Sequence, residues 1–178
     1  IVEMLSQLDR MNQAINDLLS YARPKPPELA SVELTDIIER TLALLSHVMG
    51  KRAINIETRF AADDMYVVAD ARQIQQVLWN ILINALQALG ESGTIVISTL
   101  QQRDHVEIMI EDTGIGITDE HLPNVFKPFY TTKHKGAGLG LPICKQIIED
   151  HRGSISLKTK SGEGTAVTIT LPLDTQAQ

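Results

Sequence analysis

The sequence predicts a two-layer α/β (α+β) sandwich, in which a mixed β-sheet carries helices on one face. Segments with apolar residues at helical spacing interleave with short segments in which apolar and polar residues alternate. Two pairs of the alternating segments are separated by only a few residues, which requires antiparallel pairing. With 178 residues, of which 43% are hydrophobic, the chain is long enough for one well-buried domain and an appendage.

The N-terminal residues predict a helix that packs against a partner helix in a coiled coil. Its apolar residues alternate spacings of three and four, the repeat of a left-handed coil; they are Ile1, Met4, Leu8, Met11, Ile15, Leu18 and Ala22. The alternative is an ordinary amphipathic helix that lies on the domain. Prolines 24, 26 and 27 end this helix. We therefore divide the chain into a helix (1–23), a Pro-rich linker (24–30), a compact domain (31–174) and a tail (175–178).

The compact domain alternates helices and strands along the chain. Thr35 is expected to cap a helix that reaches about Met49, and Asp70 a longer one that ends near Gly90. A third helix is expected from Leu141, because a proline at position 142 is tolerated in a first turn. The alternating segments predict strands; they are INIETRF, YVVA, TIVISTL, VEIMIED, SISLKT and TAVTITLPL.

Composition excludes several classes of function. The net charge of −6 argues against nucleic acid as a partner, and the single Cys144 excludes an intrachain disulfide and a cysteine-based metal cluster. No apolar run is long enough to cross a bilayer, so we expect the chain in the cytoplasm, with any inner-membrane anchor of the parent protein outside it. Between Glu120 and Glu149 there is no acidic residue, which indicates either a site for a small anion or a chance gap; the basic residues there are Lys127, Lys133, His134, Lys135 and Lys145.

The longest predicted helix carries a narrow stripe of amides. At about 100° per residue, one side of the helix collects Gln73, Gln76, Asn80, Asn84 and Gln87, and apolar residues cover nearly all the rest. Asparagine is a poor helix former, and polar groups bordered by apolar surface need partners. The stripe therefore indicates either a ligand cavity, with an amide oxygen available to a cation such as Mg²⁺, or a buried amide ladder that satisfies itself.

Two glycine-rich segments interrupt the regular pattern. In EDTGIGI, Asp112 ends a strand and can accept a hydrogen bond from an exocyclic amine, although an ordinary turn has the same composition. In TTKHKGAGLGL, three alternate glycines follow two lysines. This spacing matches neither a P-loop nor a dinucleotide fingerprint, so its role depends on its context.

Taken in order, the segments NILINALQA, DTGIGI, FKPFYTTK, GAGLGL and GEGT resemble the N, G1, F, G2 and G3 boxes of the sensor histidine kinase catalytic domain. That domain shares its ATP-binding fold with gyrase, Hsp90 and MutL. The resemblance spans roughly residues 28 to 174, and it implies that ATP binds between the helices and a mobile lid, above the mixed sheet. The N-terminal helix resembles the second helix of the family's dimerisation and histidine-phosphotransfer hairpin.

The resemblance also assigns roles to residues. Asn84 would hold Mg²⁺, Asn80 would contact phosphate or metal-bound water, and Asp112 would accept from the adenine amine. Phe126 and Phe129 would anchor the lid. The other implied ATP-binding residues border the base, the α-helical wall or the lid; they are Gln87, Ala88, Gly114, Gly116, Ile117, Thr132, Lys133, Gly136, Gly138, Leu139, Gly140, Leu141 and Thr165.

The resemblance implies phosphoryl transfer from Mg-ATP to a histidine on the hairpin and then to a response regulator, in a protein that forms a homodimer. Hydrolytic relatives carry a glutamate four residues before the metal-binding Asn, where this chain has Asn80. None of the five histidines has the sequence context of the acceptor, which we therefore expect upstream of Ile1; we interpret the histidines outside the lid as surface or packing residues. The alternatives are an ATP-driven clamp or hydrolase of the same fold, and a non-catalytic interaction module.

Overall fold

A computed structural model describes residues 18–19, 22–23, 25–61, 65–132 and 136–174. Most of the predicted N-terminal seam lies outside these ranges, so the coiled-coil helix stays a prediction. No helix in the described ranges is both long and apolar enough to cross a membrane. The elements of the compact domain are β1 (Ala30–Glu33), α1 (Leu34–Met49), β2 (Ala53–Arg59), β3 (Tyr66–Ala69), α2 (Ala71–Leu89), β4 (Ser92–Gln101), β5 (His105–Asp112), α3 (Gly140–Asp150), β6 (Ser154–Lys160) and β7 (Gly164–Pro172).

The main sheet is mixed, as the sequence predicts. Its strand order is β2-β4-β5-β7-β6, in which β2 and β4 are parallel and every other neighbouring pair is antiparallel. Alternate residues of the central strands, such as Ile97 of β4 and Ile108 of β5, are fully buried, because successive side chains of a strand point to opposite faces. The three helices cover that face, which confirms the predicted sandwich. Strands β1 and β3 form a separate antiparallel pair.

Helix α2 begins as the sequence predicts. The Asp70 carboxylate Oδ1 accepts from the backbone N–H groups of Arg72 (3.0 Å) and Gln73 (3.2 Å), which satisfies two donors that have no partner inside the helix. Burial alone would raise the pKa of Asp70, but the N–H groups of Glu28, Gln73 and Arg72 together lower it below its usual value. The cap fixes the start of the helix that carries the amide stripe.

The predicted Thr35 cap of α1 is wrong. Strand β1 runs directly into α1, which begins at Leu34 with Glu33 in the N-cap position and no side-chain cap. The Leu34 side chain is fully buried and its N–H donates to Met65 O at 2.8 Å, so core packing and a neighbouring carbonyl set the start of the helix. Thr35 consequently lies inside the first turn, where its buried Oγ1 has no hydrogen-bond partner in the described part of the chain.

A buried histidine links α3 to the start of α2. His151 is 2% exposed; its Nδ1 lies 2.7 Å from Ile147 O, and its Nε2 lies 2.9 Å from the Asp70 backbone N. Since a carbonyl can only accept and an N–H can only donate, Nδ1 carries the proton and Nε2 is the acceptor. This arrangement agrees with the interpretation of His151 as a packing residue, and it connects the end of α3 to the start of α2.

Candidate functional site

A cleft of about 910 Å³ opens between α2, the end of β5, the start of α3 and the segments 113–132 and 136–139. This volume lies within the usual range of small-molecule sites, about 300–1,000 Å³. Gly114 lies beside the cleft rather than on its surface, and Lys133 is outside the described residues. The other predicted site residues all line it: Asn80, Asn84, Gln87, Ala88, Asp112, Gly116, Ile117, Thr132, Gly136, Gly138, Leu139, Gly140, Leu141 and Thr165.

The amide stripe of α2 divides into two parts. Gln73, near the start of the helix, donates from Nε2 to Lys25 O at 3.1 Å and so contacts the linker. Asn80, Asn84 and Gln87, further along, line the cleft. One end of the stripe therefore holds the linker, and the other forms a polar wall of the cleft.

Asn80 is held from behind by α3. The fully buried Cys144 forms a hydrogen bond with the Asn80 side chain, and its Sγ lies 3.8 Å from Val77 O. Burial raises the pKa of the Cys144 thiol to about 12, so the group stays a neutral, small packing residue. Gly140, one turn before Cys144 on α3, also lies close to Asn80: a Cβ built on it would be 4.0 Å from Asn80 Cγ.

The turn after β5 is fastened tightly to α2. Asp112 Oδ1 accepts from Gly114 N at 2.8 Å, and Ile115 N donates to Ala88 O at 3.2 Å. A Cβ at Gly114 would lie 2.7 Å from the Ala88 backbone carbon, the Ala88 Cβ and Asp112 Oδ1. Only glycine allows this approach, which explains the glycine and the small residue opposite it.

Asp112 pairs directly with Thr165 across the β5–β7 ladder. Thr159 Oγ1 accepts from Ile117 N at 2.9 Å and donates to Gly164 O at 2.8 Å, and the Thr165 hydroxyl lies 3.1 Å from it. Because a hydroxyl has one proton, Thr165 must be the donor to Thr159, and its oxygen keeps its acceptor capacity. The carboxylate and hydroxyl at this end of the cleft thus form an acceptor-rich wall.

A backbone hydrogen bond joins the two ends of the segment before α3, at Phe129 and Gly138. Phe129 N donates to Gly138 O at 3.0 Å, and Gly138 has a φ of +66°, which favours glycine. Phe126 is half-buried, with Lys145 Nζ 6.0 Å from its ring centre. Phe129, by contrast, is 63% exposed, so its contact with this segment is made by its backbone and not by a buried ring.

The cleft also contains residues that the sequence patterns did not indicate. His121 lines it, instead of lying on the outer surface or in the core, and its Nδ1 is 2.7 Å from the Tyr130 hydroxyl. Tyr130 belongs to the segment FKPFYTTK, but an isolated histidine carries no periodic signal. Further lining residues not predicted are Trp79, Ile83, Ile115, Val125, Thr131, Ala137, Pro142 and Leu157.

Comparison with known proteins agrees with this geometry. Residues 69–175 match the family described as histidine kinase-, DNA gyrase B- and HSP90-like ATPase. The sensor histidine kinase ZraS of Escherichia coli (strain K12) is 35% identical over 173 residues, which cover 96% of this chain and 37% of ZraS. The chain thus spans little more than a third of that relative.

Solved structures show the same relationship. The catalytic domain of the histidine kinase ThkA has a TM-score of 0.75 and 34% identity, over 82% of this chain and 95% of that one. ThkA in complex with the response regulator protein TrrA has a TM-score of 0.82 and 27% identity, over 98% of this chain and 50% of that one. The chain therefore belongs to the histidine kinase-, DNA gyrase B- and HSP90-like ATPase family, on its sensor histidine kinase branch.

Proposed function

We propose that this cleft binds Mg-ATP and that the chain is the catalytic part of a sensor kinase that phosphorylates a histidine of its own upstream helical hairpin. One observation carries the proposal: Asn80 and Asn84, one helical turn apart, line the same cleft as Asp112 and the glycine segment that leads into α3. A hydrogen-bonding wall for a base and a polar wall for phosphates therefore border one cavity.

The acceptor-rich wall suits adenine. The Asp112 carboxylate and the Thr165 oxygen can both accept hydrogen bonds, and the exocyclic amine of adenine is a donor. Guanine presents a carbonyl oxygen at the corresponding position, which would face these acceptors without a proton between them. Because an unpaired buried acceptor costs about 1–3 kcal/mol, we expect the site to prefer ATP to GTP.

The other end of the cleft suits phosphate. Gly140 and Leu141 line it and form the first turn of α3, where backbone N–H groups have no carbonyl partner inside the helix and attract anionic oxygens. Pro142, which lacks an N–H, follows them without loss of a donor. Lys133 and Thr132 are the further phosphate contacts that we propose from the sequence.

The oxygen ligands that the cleft offers also fit a magnesium ion held largely by the nucleotide. The described residues contain no cluster of three His, Cys, Asp or Glu side chains that would form a protein cage for a metal. Asn84 provides a hard amide oxygen, and Mg²⁺ usually takes one or two protein ligands beside phosphate oxygens and waters. When bound, the ion neutralises charge on the phosphates. The role of Asn84 is to hold that complex at the α2 wall.

The residues of the cleft favour transfer over hydrolysis. Asp112 is the sole carboxylate among the described lining residues, and it belongs to the turn after β5, where it accepts from Gly114 N. Asn80 stands where a hydrolytic relative has a glutamate, and an amide cannot act as a general base. His151 is buried and both of its ring nitrogens make hydrogen bonds, so it does not serve as the histidine that accepts the phosphoryl group. We infer that the acceptor histidine lies upstream of Ile1.

The proposal implies several partners. The phosphorylated histidine would pass its phosphate to an aspartate of a response regulator, as the complex of ThkA with TrrA suggests for a relative. The parent protein would act as a homodimer through its helical hairpins, in the cytoplasm, with any inner-membrane anchor outside this chain and with no nucleic acid as a partner.

A titration followed by a transfer assay tests the proposal. Trp79, the one tryptophan of the chain, lines the cleft, so its fluorescence should change on addition of Mg-ATP and much less with Mg-GTP. Label from γ-phosphate-labelled ATP should then appear on a separately supplied hairpin of the parent protein. Asn84→Ala should abolish the transfer, whereas Asn55→Ala, which removes an exposed amide bonded to Glu57, should not. Steady hydrolysis without the hairpin would indicate the clamp or hydrolase, and absence of nucleotide binding the interaction module.

A further inference from the structure

We infer that His121 is a further nucleotide-contacting residue, held in position by Tyr130 and directed at the phosphates; this inference rests on the proposed function. Both residues line the cleft and are half-buried. The Tyr130 hydroxyl lies 2.7 Å from His121 Nδ1, and the two ring centres are 6.1 Å apart at an interplanar angle of 60°. The hydrogen bond thus fixes the rotation of the imidazole at the wall of the cleft.

The charge of the cleft singles out this histidine. Among the described lining residues there is no lysine and no arginine, and the ionisable side chains are those of Asp112, His121 and Tyr130. A triphosphate is a polyanion, and cationic or strongly polar donors form its most favourable contacts. His121 is therefore the one side chain of the described wall that can carry a positive charge.

The described basic residues of segment 122–132 and of α3, Lys127 and Lys145, do not line the cleft. Lys145 Nζ lies over the Phe126 ring and 3.8 Å from the Glu149 carboxylate. Lys127 is exposed and does not line the cleft. Neither side chain replaces His121 at the described wall.

The Tyr130 contact leaves His121 able to donate toward the ligand, because the Tyr130 hydroxyl can either donate to Nδ1 or accept from it. If the Tyr130 hydroxyl donates to Nδ1, the neutral ring carries its proton on Nε2; if the ring is protonated, both nitrogens carry one. In each case Nε2–H is available as a donor, and a phosphate oxygen is an acceptor. In the remaining form, with the proton on Nδ1 alone, the unprotonated Nε2 would face a phosphate oxygen. Both atoms are hydrogen-bond acceptors, so this form is disfavoured beside phosphate.

The position of Tyr130 places the pair toward the phosphate end of the cleft. A Cβ built on Gly138 would lie 2.7 Å from Tyr130 O and 2.8 Å from Tyr130 N, so the Tyr130 backbone packs against Gly138. That glycine lies directly before Leu139 and Gly140, where α3 begins. The acceptor wall for the base is instead built from Asp112 and Thr165, on β5 and β7.

Matched substitutions of His121 separate a phosphate contact from a structural role. His121→Asn keeps an amide nitrogen at the distance of Nδ1 from the backbone and loses Nε2, whereas His121→Gln keeps a donor at the distance of Nε2. We measure the affinities of the 178-residue protein for Mg-ATP and adenosine by Trp79 fluorescence. His121→Ala and His121→Asn should weaken Mg-ATP binding about tenfold, the usual effect of a lost charge-assisted hydrogen bond, and leave adenosine binding within twofold; His121→Gln should recover part of the loss.

Tyr130→Phe, which removes only the hydroxyl, should weaken Mg-ATP binding about threefold and should have no further effect in a His121→Ala background, because it acts through that histidine. His105→Ala, a histidine that pairs with Asp104 outside the cleft, is the control and should not change either affinity. The inference is overturned if His121→Asn binds Mg-ATP as tightly as the wild type, or if adenosine and Mg-ATP lose affinity equally. A wild type that binds no Mg-ATP would overturn the proposed function as well, so the two failures are distinguishable.

Discussion

Replacement of Asp70 tests whether this one side chain fixes the start of the helix that carries the polar wall. Its Oδ1 accepts from Arg72 N and Gln73 N, and its Oδ2 accepts from Glu28 N at 3.0 Å in the linker. No other acidic residue lies in the first turn of α2. Asp70→Ala therefore removes the cap, the charge at the helix N-terminus and the bond to the linker together. Asp70→Asn keeps one acceptor oxygen for the cap, and it removes the charge and the bond to Glu28 N.

The expected loss follows from these contacts. Removal of an N-cap acceptor costs about 1 kcal/mol of unfolding free energy, and the exposed linker bond adds roughly 0.5 kcal/mol. Loss of the charge near the helix dipole adds roughly another 0.5 kcal/mol, so Asp70→Ala should cost about 2 kcal/mol. Asparagine caps nearly as well as aspartate, but it lacks the charge and the second acceptor oxygen. Asp70→Asn should therefore cost about 1 kcal/mol, about half of it from the charge near the helix dipole and half from the linker bond. Glu163→Gln is the control, because Glu163 pairs with Lys160 in an exposed turn between β6 and β7, away from any helix N-terminus.

The effect of the charge should depend on pH in one direction. The pKa of Asp70 is lower in the folded protein than its usual value, since the three backbone N–H bonds outweigh the opposing effect of burial. The carboxylate consequently stabilises the fold fully above about pH 3.9, its ordinary pKa. This contribution is lost as the pH falls through the lowered pKa, where wild type and Asp70→Asn should converge.

Urea unfolding, followed by Trp79 fluorescence between pH 7 and pH 2.5, measures these differences. The reasoning is refuted if Asp70→Ala and Asp70→Asn unfold at the same urea concentration at pH 7. It is also refuted if the advantage of the wild type over Asp70→Asn does not decrease as the pH falls below the ordinary pKa of the carboxyl.

Three further predictions concern the packing around the cleft. Gly114→Ala should cost about 1–3 kcal/mol and weaken Mg-ATP binding at least tenfold in calorimetry, because its Cβ would lie 2.7 Å from Ala88 and Asp112 atoms. Gly162→Ala, whose Cβ meets nothing within 4 Å and which does not line the cleft, is the control and should bind normally. Cys144, fully buried with a pKa of about 12, should resist a thiol reagent at pH 8 until urea unfolds the chain, and prompt labelling of the native protein would contradict this. His151→Ala should lower the unfolding free energy by roughly 2–4 kcal/mol, because it leaves a cavity and deprives the buried Asp70 N–H of its acceptor. The Ile147 carbonyl keeps its bond from the backbone N–H of residue 151, and a urea midpoint equal to that of the wild type would contradict the prediction.

Local sequence signals predict most of the fold. The capping aspartate and the apolar spacing of α2 are contained within one segment, and the β4–β5 and β6–β7 pairs are each joined by a few residues, so their antiparallel pairing follows from chain connectivity. The parallel pairing of β2 with β4 does not follow in this way, because about thirty residues, including α2, lie between them. The start of α1 was predicted wrongly because a distant carbonyl, that of Met65, decides it.

The candidate site shows the same limit. The amides of α2 stand out because asparagine is unfavourable in a helix interior and needs a reason to be there. His121 gives no such signal: its environment is created by the contact with Tyr130, in a segment whose course depends on backbone bonds to Gly138 and not on any periodic pattern. Phe129 shows the converse, since the residue is exposed while its backbone makes the contact that matters.

The two ends of the cleft are built differently, and this bears on how affinity divides between them. The acceptor wall is locked by the β5–β7 ladder and by the hydroxyl bonds of Thr159, so its groups need little ordering when a base arrives. The phosphate end is assembled from separate elements: Asn80 backed by Cys144, the start of α3, and His121 held by a single bond to Tyr130. The affinity for adenosine should therefore depend on the rigid end alone. The increase in affinity from adenosine to Mg-ATP should depend on how well the phosphate end is assembled. Loss of any one of its contacts should reduce that increase and leave the affinity for adenosine unchanged.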